Sequence, residues 1–333
     1  MIDFAKAKNE TRKELFEGVA QIMGLSQAGI VEKDFYVVLI LDLLFHHMSY
    51  GKHFAFKGGT SLSKGYNIIK RFSEDIDLVM DWHLLGLTNE EVWQERSNTQ
   101  QQLFNKRVNV EAGEWLEAKF VPELIEVLAK LHLEGFHVFV READKQTVIV
   151  EYPRTFNLTG ILPEIRLEIG PLGAWTPIEN KRIGSYVAEQ APQLFSERST
   201  FIPTVEAKRT FWEKATILHK EAHRRKNLTP KRYSRHYYDL VMLARTDVKA
   251  QAFQDLELLK RVVDFKKKFY MDNSAKYEEA VPATLKLLPQ ATQVDALRED
   301  YQAMQAMIFE AAPSFDEILA ELEELEKEIH GLN

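Results

Sequence analysis

The sequence contains no cysteine. This excludes disulfide bonds and thiolate metal sites, and it is compatible with a reducing cytoplasm. Long hydrophobic runs are also missing, because the longest, residues 37–45, is interrupted by Asp42 and is far shorter than the ~20 residues that a membrane helix needs. The first residues, MIDFAKAKNETRKEL, carry acids and lack the apolar segment of a secretory signal. We expect a soluble, cytoplasmic protein with no membrane partner.

Acidic residues outnumber basic ones, but the charge is unevenly spread. The formal net charge is −7, which argues against general coating of nucleic acid. Residues 208–235 nevertheless hold ten Lys/Arg against two acids, so this segment carries +8 and the remainder about −15. We call these ten side chains the basic cluster: 208, 209, 214, 220, 224, 225, 226, 231, 232 and 235. Such a cluster is the electrostatic footprint of a polyanion, although for any one residue a solvated helix face is the simpler explanation.

The most informative stretch is HFAFKGGTSLSKGYNIIKRFSEDIDLVMD, residues 53–81. Its pattern predicts a strand at 54–56, a turn at Gly58 and Gly59, a helix beginning at Thr60 or Ser61, and a second strand that starts at Asp75. Glycines let the backbone approach a ligand closely, and the start of a helix presents unpaired N–H groups. The turn is therefore suited to phosphate.

Two carboxylates follow on the second strand. Side chains two residues apart on a strand point to the same face, so Asp75 and Asp77 lie side by side. Such a pair is costly unless a cation neutralises it, and hard oxygen ligands suit Mg²⁺. A glycine pair alone is a common turn, and an Asp-x-Asp alone is usually a solvated strand edge. Together, in this order, they indicate a metal-dependent nucleotidyl transferase.

The stretch resembles the core of the DNA polymerase β-type nucleotidyltransferase superfamily and, within it, the AbiEii/AbiGii toxin family, which includes the MenT toxins. Four further segments carry the resemblance: 32–45 (EKDFYVVLILDLLF), 164–170 (EIRLEIG), 211–223 (FWEKATILHKEAH) and 232–240 (RYSRHYYDL). The similarity covers about the first 245 residues. It implies an α+β fold, with a polymerase β-like mixed sheet and flanking helices in a nucleotidyltransferase domain at residues 1–200, and a helical C-terminal domain at residues 201–333.

Hydrophobic spacing predicts the other elements. We expect helices at 9–23, 29–47 and 114–133, strands at 136–142, 147–152 and 162–170 that continue the sheet antiparallel, and mostly helix after residue 204. Residues 171–203 are punctuated by Pro and Gly and are expected to lead out of the sheet.

Glu32 and Asp34 are expected to be capping or surface residues, in a segment that supports the nucleotide-binding fold. The apolar seam of the last helix (Ile318, Leu322, Leu325 and Ile329) is most simply packing, with an antitoxin or self-association surface as the second interpretation.

A third carboxylate comes from the last predicted strand. Alternation places Glu168 on the face opposite Leu167, and the resembled superfamily carries an acid at this point in the order. Many members have Asp there, so the longer Glu changes the geometry slightly. We predict that Glu168 binds metal with Asp75 and Asp77, or acts as a base. Arg166 on the same face is expected to pair with a neighbouring glutamate.

The resemblance also assigns roles to Lys214 and Asp239. Without it, Lys214 could be an ordinary exposed lysine and Asp239 a residue of a helix face. The family repeats a Glu-Lys and a Tyr-Asp-Leu at these places, which implies that Lys214 reaches the nucleotide phosphates and that Asp239 orients the lysine or the acceptor. For the phosphates themselves we predict binding by the turn, with Lys64 as a supporting charge. The cofactor-binding set is thus Gly58, Gly59, Thr60, Ser61 and Lys64.

One pair of histidines in this sequence has a spacing that resembles a zinc site. His219 and His223 lie four apart on a predicted helix, but Lys220 occupies the place of the catalytic Glu in HExxH. We interpret both histidines as residues that accompany the basic cluster or that bind the acceptor.

The predicted function follows from these assignments. The resembled family is similar to toxins of bacterial and phage-defence toxin–antitoxin pairs, some of which add nucleotides to the 3′ end of tRNA. We predict Mg²⁺-dependent transfer of a nucleoside monophosphate from a nucleoside triphosphate to an acceptor, the 3′ end of tRNA, which blocks translation, with a cognate antitoxin as a further partner. The alternatives are a transferase for a protein or small molecule and a non-catalytic scaffold with this fold. The preferred nucleotide and the role of residues 250–333 are left open.

Overall fold

The structure is a computed structural model that describes residues 1–73, 75–159, 161–224, 231–308 and 311–332. The chain divides into two compact units. Unit 1 comprises Met1–Gly65 and Ser73–Thr204, and unit 2 comprises Tyr66–Phe72 and Val205–Asn333.

A mixed seven-stranded sheet forms the centre of unit 1 in the described residues. The strands are β1 (Phe54–Lys57), β2 (Asp75–Met80), β3 (His137–Val140), β4 (Thr147–Glu151), β5 (Ile165–Gly170), β6 (Ile178–Gly184) and β7 (Ser199–Val205). Their order across the sheet is β3-β4-β5-β2-β1-β7-β6. Strands β1 and β2 pair antiparallel, whereas β2 and β5 pair parallel. A mixed sheet with flanking helices confirms the predicted α+β class.

Helices flank this sheet in unit 1. They are α1 (Ile2–Ala5), α2 (Asn9–Ile22), α3 (Ala28–Asp42), α4 (Gly58–Lys64), α5 (Asn89–Trp93), α6 (Asn98–Trp115), α7 (Val121–Lys130) and α8 (Tyr186–Gln190). Helix α3 is buried on all sides, including the charged residues Glu32, Lys33 and Asp34. The expectation that Glu32 and Asp34 lie at the surface was therefore wrong. Glu32 accepts hydrogen bonds from the backbone N–H groups of Thr155 and Phe156, which satisfy its buried carboxylate.

Two boundaries differ from the prediction. Helix α6 begins at Asn98 rather than near residue 114, and the π-helical segment Leu116–Phe120 connects it to α7. Its start is a capping box in which Ser97 and Gln100 satisfy each other's backbone N–H groups. The predicted exit from the sheet at 171–203 contains β6 and most of β7. Because β6 is an edge strand with mostly exposed side chains, its sequence lacks the alternation by which strands are recognised.

The prediction that these strands continue the sheet antiparallel was right for two of the three strand pairs. Strand β3 pairs antiparallel with β4, and β4 with β5. Strand β5 then joins β2 in parallel, because the chain makes a long excursion between these two strands. This parallel join determines which acidic residues become neighbours.

Unit 2 is helical in the part of it that the structure describes. Its helices are α9 (Ala207–Ala222), α10 (Arg235–Ala244), α11 (Val248–Phe253), α12 (Leu256–Phe269), α13 (Val294–Met304) and α14 (Phe315–His330). The apolar seam of α14 is buried, and α14 contacts α10. The seam therefore serves packing within the unit. No helix in the described ranges is long and apolar enough to cross a membrane.

Candidate active site

The three predicted metal-binding carboxylates lie on one face of the sheet in unit 1. In the parallel register of β2 and β5, Asp77 pairs with Glu168 and Asp75 with Arg166. Paired positions on neighbouring strands are about 4.8 Å apart, so Asp77 and Glu168 emerge side by side. Ile76, Leu78, Leu167 and Ile169 point to the opposite face and are buried in the core. The alternation seen in the sequence thus separates a charged face from an apolar one.

The glycine turn lies directly against Asp77. Gly58 has φ +76°, and a Cβ built on it would lie 1.9 Å from Oδ2 of Asp77. Only a residue without a side chain leaves room for this carboxylate, and only glycine adopts such a φ without strain. Strand β1 runs directly into α4, so the helix begins at Gly58 and not at Thr60 or Ser61 as predicted. The turn and the second strand are therefore in contact.

The two hydroxyls after the glycines hold the turn together. Thr60 donates a hydrogen bond from Oγ1 to the backbone oxygen of Asp75, and Ser61 Oγ donates to the backbone oxygen of Gly58 at 2.8 Å. Both residues are buried. These contacts give both hydroxyls a structural role, fixing the start of β2 against α4. Phosphate binding by Gly58, Gly59, Thr60 and Ser61 stays a prediction.

Lys64, at the end of α4, lies in an ion pair. Its Nζ is 2.5 Å from Oδ1 of Asp34 and 3.7 Å from the centre of the Tyr186 ring, and its side chain is 7% exposed. Tyr186 donates its backbone N–H to the other carboxylate oxygen of Asp34 at 2.7 Å. Burial raises the pKa of Asp34, and the Lys64 ammonium opposes that rise. These contacts assign Lys64 a structural role, and its support of phosphate binding stays a prediction.

Three carboxylates on one face of the sheet, two on β2 and one on β5, fit the chemistry of Mg²⁺, which prefers oxygen ligands. Within the described ranges, however, no three Asp, Glu, His or Cys side chains are grouped closely enough to hold a metal ion. The register explains this spread, because Glu168 lies beside Asp77 while Asp75 lies beside Arg166. Arg166 itself donates to Glu164 at 2.8 Å, as expected for a local pair. Metal binding by Asp75, Asp77 and Glu168 stays a prediction.

Unit 2 brings Lys214 and Asp239 together, as the family pattern implies. Lys214 on α9 places Nζ 2.9 Å from Oδ2 of Asp239 on α10 and 3.0 Å from Nδ1 of His236. Arg71 donates to the same carboxylate twice, from Nε at 2.8 Å and from an Nη at 3.0 Å. Asp239 is fully buried. It therefore orients both cations at once, with a planar two-point contact to the arginine.

The charges in this network shift the pKa values of its members. Burial alone would raise the pKa of Asp239, but Arg71 and Lys214 hold it well below its usual range. Burial lowers the pKa of Lys214, against the opposing effect of Asp239. Burial and the neighbouring Lys214 also lower the pKa of His236 well below its usual value. A neutral His236 can accept a hydrogen bond from Lys214 through Nδ1, which fixes the lysine from a second side.

His219 and His223, whose spacing resembles a zinc site, have a structural role instead. His219 is fully buried, and its two ring nitrogens contact the backbone oxygen of Lys276 at 3.1 Å and the backbone N–H of Lys286 at 3.0 Å. Because Nδ1 accepts from Lys286, the ring is neutral and donates through Nε2. His223 contacts the backbone oxygen of His219 at 2.9 Å. These contacts agree neither with a zinc site at the two histidines nor with the prediction that His219 binds the acceptor.

Half of the basic cluster is paired with acids within unit 2. Five of its members form ion pairs: Lys208 with Glu206 and Asp255, Arg209 with Glu213, Lys214 with Asp239, Lys220 with Asp272, and Arg224 with Glu221. Arg225 and Lys226 lie outside the described residues. The segment's charge of +8 therefore does not translate into an equally basic surface.

Sequence reasoning missed three partners of the predicted residues. Arg71 lies only four positions before Asp75, His236 is in the quoted RYSRHYYDL segment, and Asp34 is in the quoted EKDF segment. All three were available in the motifs, but nothing in a local pattern states which distant charge a side chain will meet.

A mixed sheet with paired acidic residues beside a glycine turn is the layout of a nucleotidyltransferase domain. Comparison with known proteins agrees. The family model described as nucleotidyl transferase AbiEii toxin, type IV toxin–antitoxin system, matches residues 42–321, so the chain belongs to this family. The match extends well past residue 245, where the resemblance seen in the sequence ended.

Solved structures of low identity also match. MenT4, a nucleotidyltransferase toxin from Mycobacterium tuberculosis H37Rv, is 18% identical over 95% of this chain and 97% of its own, with a TM-score of 0.46. JHP933 from Helicobacter pylori is 15% identical over 89% of each chain, with a TM-score of 0.41. A search of the curated proteins found no match.

Proposed function

We propose that this nucleotidyltransferase transfers a nucleoside monophosphate from a nucleoside triphosphate to the 3′ end of tRNA in a Mg²⁺-dependent reaction. The terminal hydroxyl of the tRNA loses its proton and bonds to the α-phosphorus, the bond between the α- and β-phosphates breaks, and pyrophosphate leaves. Loss of a usable tRNA end would block translation, which is how the chain would act as a toxin in the cytoplasm and in phage defence. A cognate antitoxin would restrain it.

One observation carries the proposal. The Asp77 carboxylate lies beside Glu168 in the strand register and fills the space over Gly58. Mg²⁺ bound by Asp75, Asp77 and Glu168 would neutralise charge on the phosphates during transfer. The chain's own contribution is positional: Gly58 leaves room for the Asp77 carboxylate, and the hydrogen bond from Thr60 to the start of β2 keeps the carboxylates aligned with the turn.

The test is a labelling assay. Purified protein is incubated with each nucleoside triphosphate, labelled at the α-phosphate, together with total tRNA and Mg²⁺, and the products are resolved on a denaturing gel. The Asp75→Ala/Asp77→Ala double variant and a reaction with chelator are the controls. We expect label in tRNA only with the native carboxylates and with metal. Absence of label in tRNA for every triphosphate would reject the tRNA acceptor, and absence of Mg²⁺-dependent triphosphate binding would point to a scaffold.

The ion pairing of the basic cluster favours a second candidate, in which the acceptor is a protein or a small molecule. A cluster in which half of the members are paired with acids offers a polyanion less attraction than its sequence charge suggests. In the same assay this candidate predicts carboxylate-dependent label on added protein or in a small product, with none in tRNA.

A further inference from the structure

A polar pocket opens in unit 1 where α4 ends. Its volume is about 430 Å³, and its charged and hydroxyl-bearing lining is Lys64, Arg182, Glu189, Arg198 and Ser199. Arg182 lies on the edge strand β6, and Ser199 begins the neighbouring strand β7. Of these residues, the nucleotidyl-transfer assignment uses Lys64 alone, and it gives the two arginines no role.

Its two arginines are held in place by their inner nitrogens. Arg182 donates from Nε to Oγ of Ser199 at 2.7 Å, and Arg198 donates from Nε to the backbone oxygen of Pro192 at 3.1 Å. Both residues are exposed. Their terminal nitrogens form no hydrogen bond with any residue that the structure describes. The two guanidinium groups are thus oriented before any ligand binds, and their terminal N–H groups can donate to one. A guanidinium group in this state can bind a phosphate through two parallel hydrogen bonds.

The charge of the pocket agrees with an anionic ligand. Three cations line it, against the carboxylate of Glu189 in the lining and that of Asp34, which is paired with Lys64. Since Asp34 balances Lys64, the arginines supply the positive charge that a ligand would meet. The described lining contains no aromatic ring on which a base could stack. The pocket therefore offers charged donors suited to a phosphate group.

We propose that this pocket binds a backbone phosphate of the RNA acceptor. The inference rests on the RNA acceptor of the proposed function. Lys64 is six residues from Gly58 along α4, a distance of about 9 Å at ~1.5 Å per residue. A phosphate bound at this end of the helix would belong to a nucleotide close to the reacting end of the strand. The pocket would hold the strand while the triphosphate occupies the turn.

The test is direct binding of a short, fluorescently labelled single-stranded RNA, measured by anisotropy over a series of salt concentrations. For Arg182→Glu/Arg198→Glu we expect binding at least about tenfold weaker, since hydrogen bonds to charged groups are removed. The slope of log affinity against log salt should fall by about 0.7 for each phosphate that the protein no longer neutralises. Glu189→Gln should change affinity in the opposite direction, because it removes the opposing negative charge.

A matched control is Arg107→Glu/Arg154→Glu, which changes the net charge of unit 1 by the same amount at exposed positions outside the pocket. Thermal unfolding of each variant confirms that it is folded. An equal loss of RNA affinity in the control, or unchanged affinity in Arg182→Glu/Arg198→Glu, would overturn the proposal. Competition with inorganic phosphate and with ATP distinguishes the source. If the pocket variant loses binding of these anions but keeps RNA affinity, the assignment to RNA is wrong.

The binding measurement requires no turnover, so it separates this inference from the proposed function. Pocket-dependent RNA binding without transfer of label to tRNA would leave the pocket assignment standing and reject the reaction. If tRNA is labelled and Arg182→Glu/Arg198→Glu changes neither the rate of transfer nor the RNA affinity, the proposed function stands and the pocket assignment is wrong.

Discussion

The carboxylate of Asp77 occupies the space that a side chain at residue 58 would fill: a Cβ on Gly58 would lie 1.9 Å from Asp77 Oδ2. The glycine follows β1 and the carboxylate lies on β2, two strands that pair antiparallel with Lys57 opposite Asp77 in the register. Each therefore constrains the other, since no larger residue at position 58 leaves the acid where it is.

Gly58→Ala is expected to lower the free energy of unfolding by about 1–3 kcal/mol, because the new Cβ meets Asp77 and the φ of +76° strains any L-residue. Activity should fall with it, since the carboxylate must move. Urea denaturation and the labelling assay measure the two effects. The matched control is Gly18→Ala in α2, where a Cβ meets nothing within 4 Å and stability should rise by about 0.5–1 kcal/mol. Wild-type stability in Gly58→Ala would contradict the close contact.

Asp77→Asn and Glu168→Gln should each lower the rate of transfer by roughly 10²–10³, as does loss of a comparable electrostatic stabiliser. Folding should be unharmed, because each amide keeps the shape of the acid and relieves repulsion between adjacent carboxylates. Single-turnover rates with saturating Mg²⁺ and melting temperatures are the measurements. Glu151→Gln, an exposed change on β4, is the control and should be neutral. Rates within a few-fold of wild type would remove both acids from the chemistry.

Asp239→Asn is expected to lower the free energy of unfolding by about 3–5 kcal/mol, because it leaves Arg71 and Lys214 buried without their counter-charge. Arg71→Met in the same chain should restore part of the loss. Asp247→Asn, at an exposed position of unit 2, should change stability by under about 0.5 kcal/mol. Chemical denaturation measures all three variants. Folding lowers the pKa of Asp239 from 3.8. The ionised carboxylate should therefore stabilise the folded chain fully above pH 3.8, and this contribution should be lost as the pH falls below that value.

His219 predicts a second pH dependence. Burial lowers the pKa of its ring from 6.5 to about 4, so between these values the unfolded chain binds a proton that the folded chain excludes. Stability should therefore be full above pH 6.5 and fall by roughly 3 kcal/mol as the pH drops to 4, at about 1.4 kcal/mol per pH unit. His219→Gln should flatten this slope relative to wild type, with the contribution of His236 remaining.

Lys64→Met tests the structural role of the lysine against the predicted phosphate contact. Removing the ammonium leaves Asp34 buried and unpaired, which should lower the free energy of unfolding by roughly 3–5 kcal/mol. Adding Asp34→Asn should recover part of that loss. Triphosphate affinity of the folded double variant should equal that of wild type. Reduced affinity with stability recovered would instead support the phosphate contact predicted from the sequence.

Much of the candidate site could be predicted because it depends on local rules. The alternation of Asp75 to Leu78 fixed which side chains share a face, and the strand, glycine and helix pattern placed the turn before them. The family order predicted an acid at residue 168 on a neighbouring strand, but the parallel pairing of β2 with β5, which places Glu168 beside Asp77, was not predicted.

Other features had no local signal. Strand β6 was missed because an exposed edge strand needs no alternation, and α6 because its outward face is polar along most of its length. The charge of residues 208–235 was counted correctly but its effect was not predicted, since acids as distant as Asp255 and Asp272 neutralise part of it.

The sequence alone determined the charged face, the glycine turn and the family, because these depend on neighbours within a few residues and on the order of motifs along the chain. Only the tertiary structure decided the partners of the buried charges: Lys64 with Asp34, and Asp239 with Arg71, which is 168 positions away. The reason is physical. A buried charge must find a counter-charge wherever the folded chain returns to it, and that return is set by the packing of whole elements and not by the residues beside it.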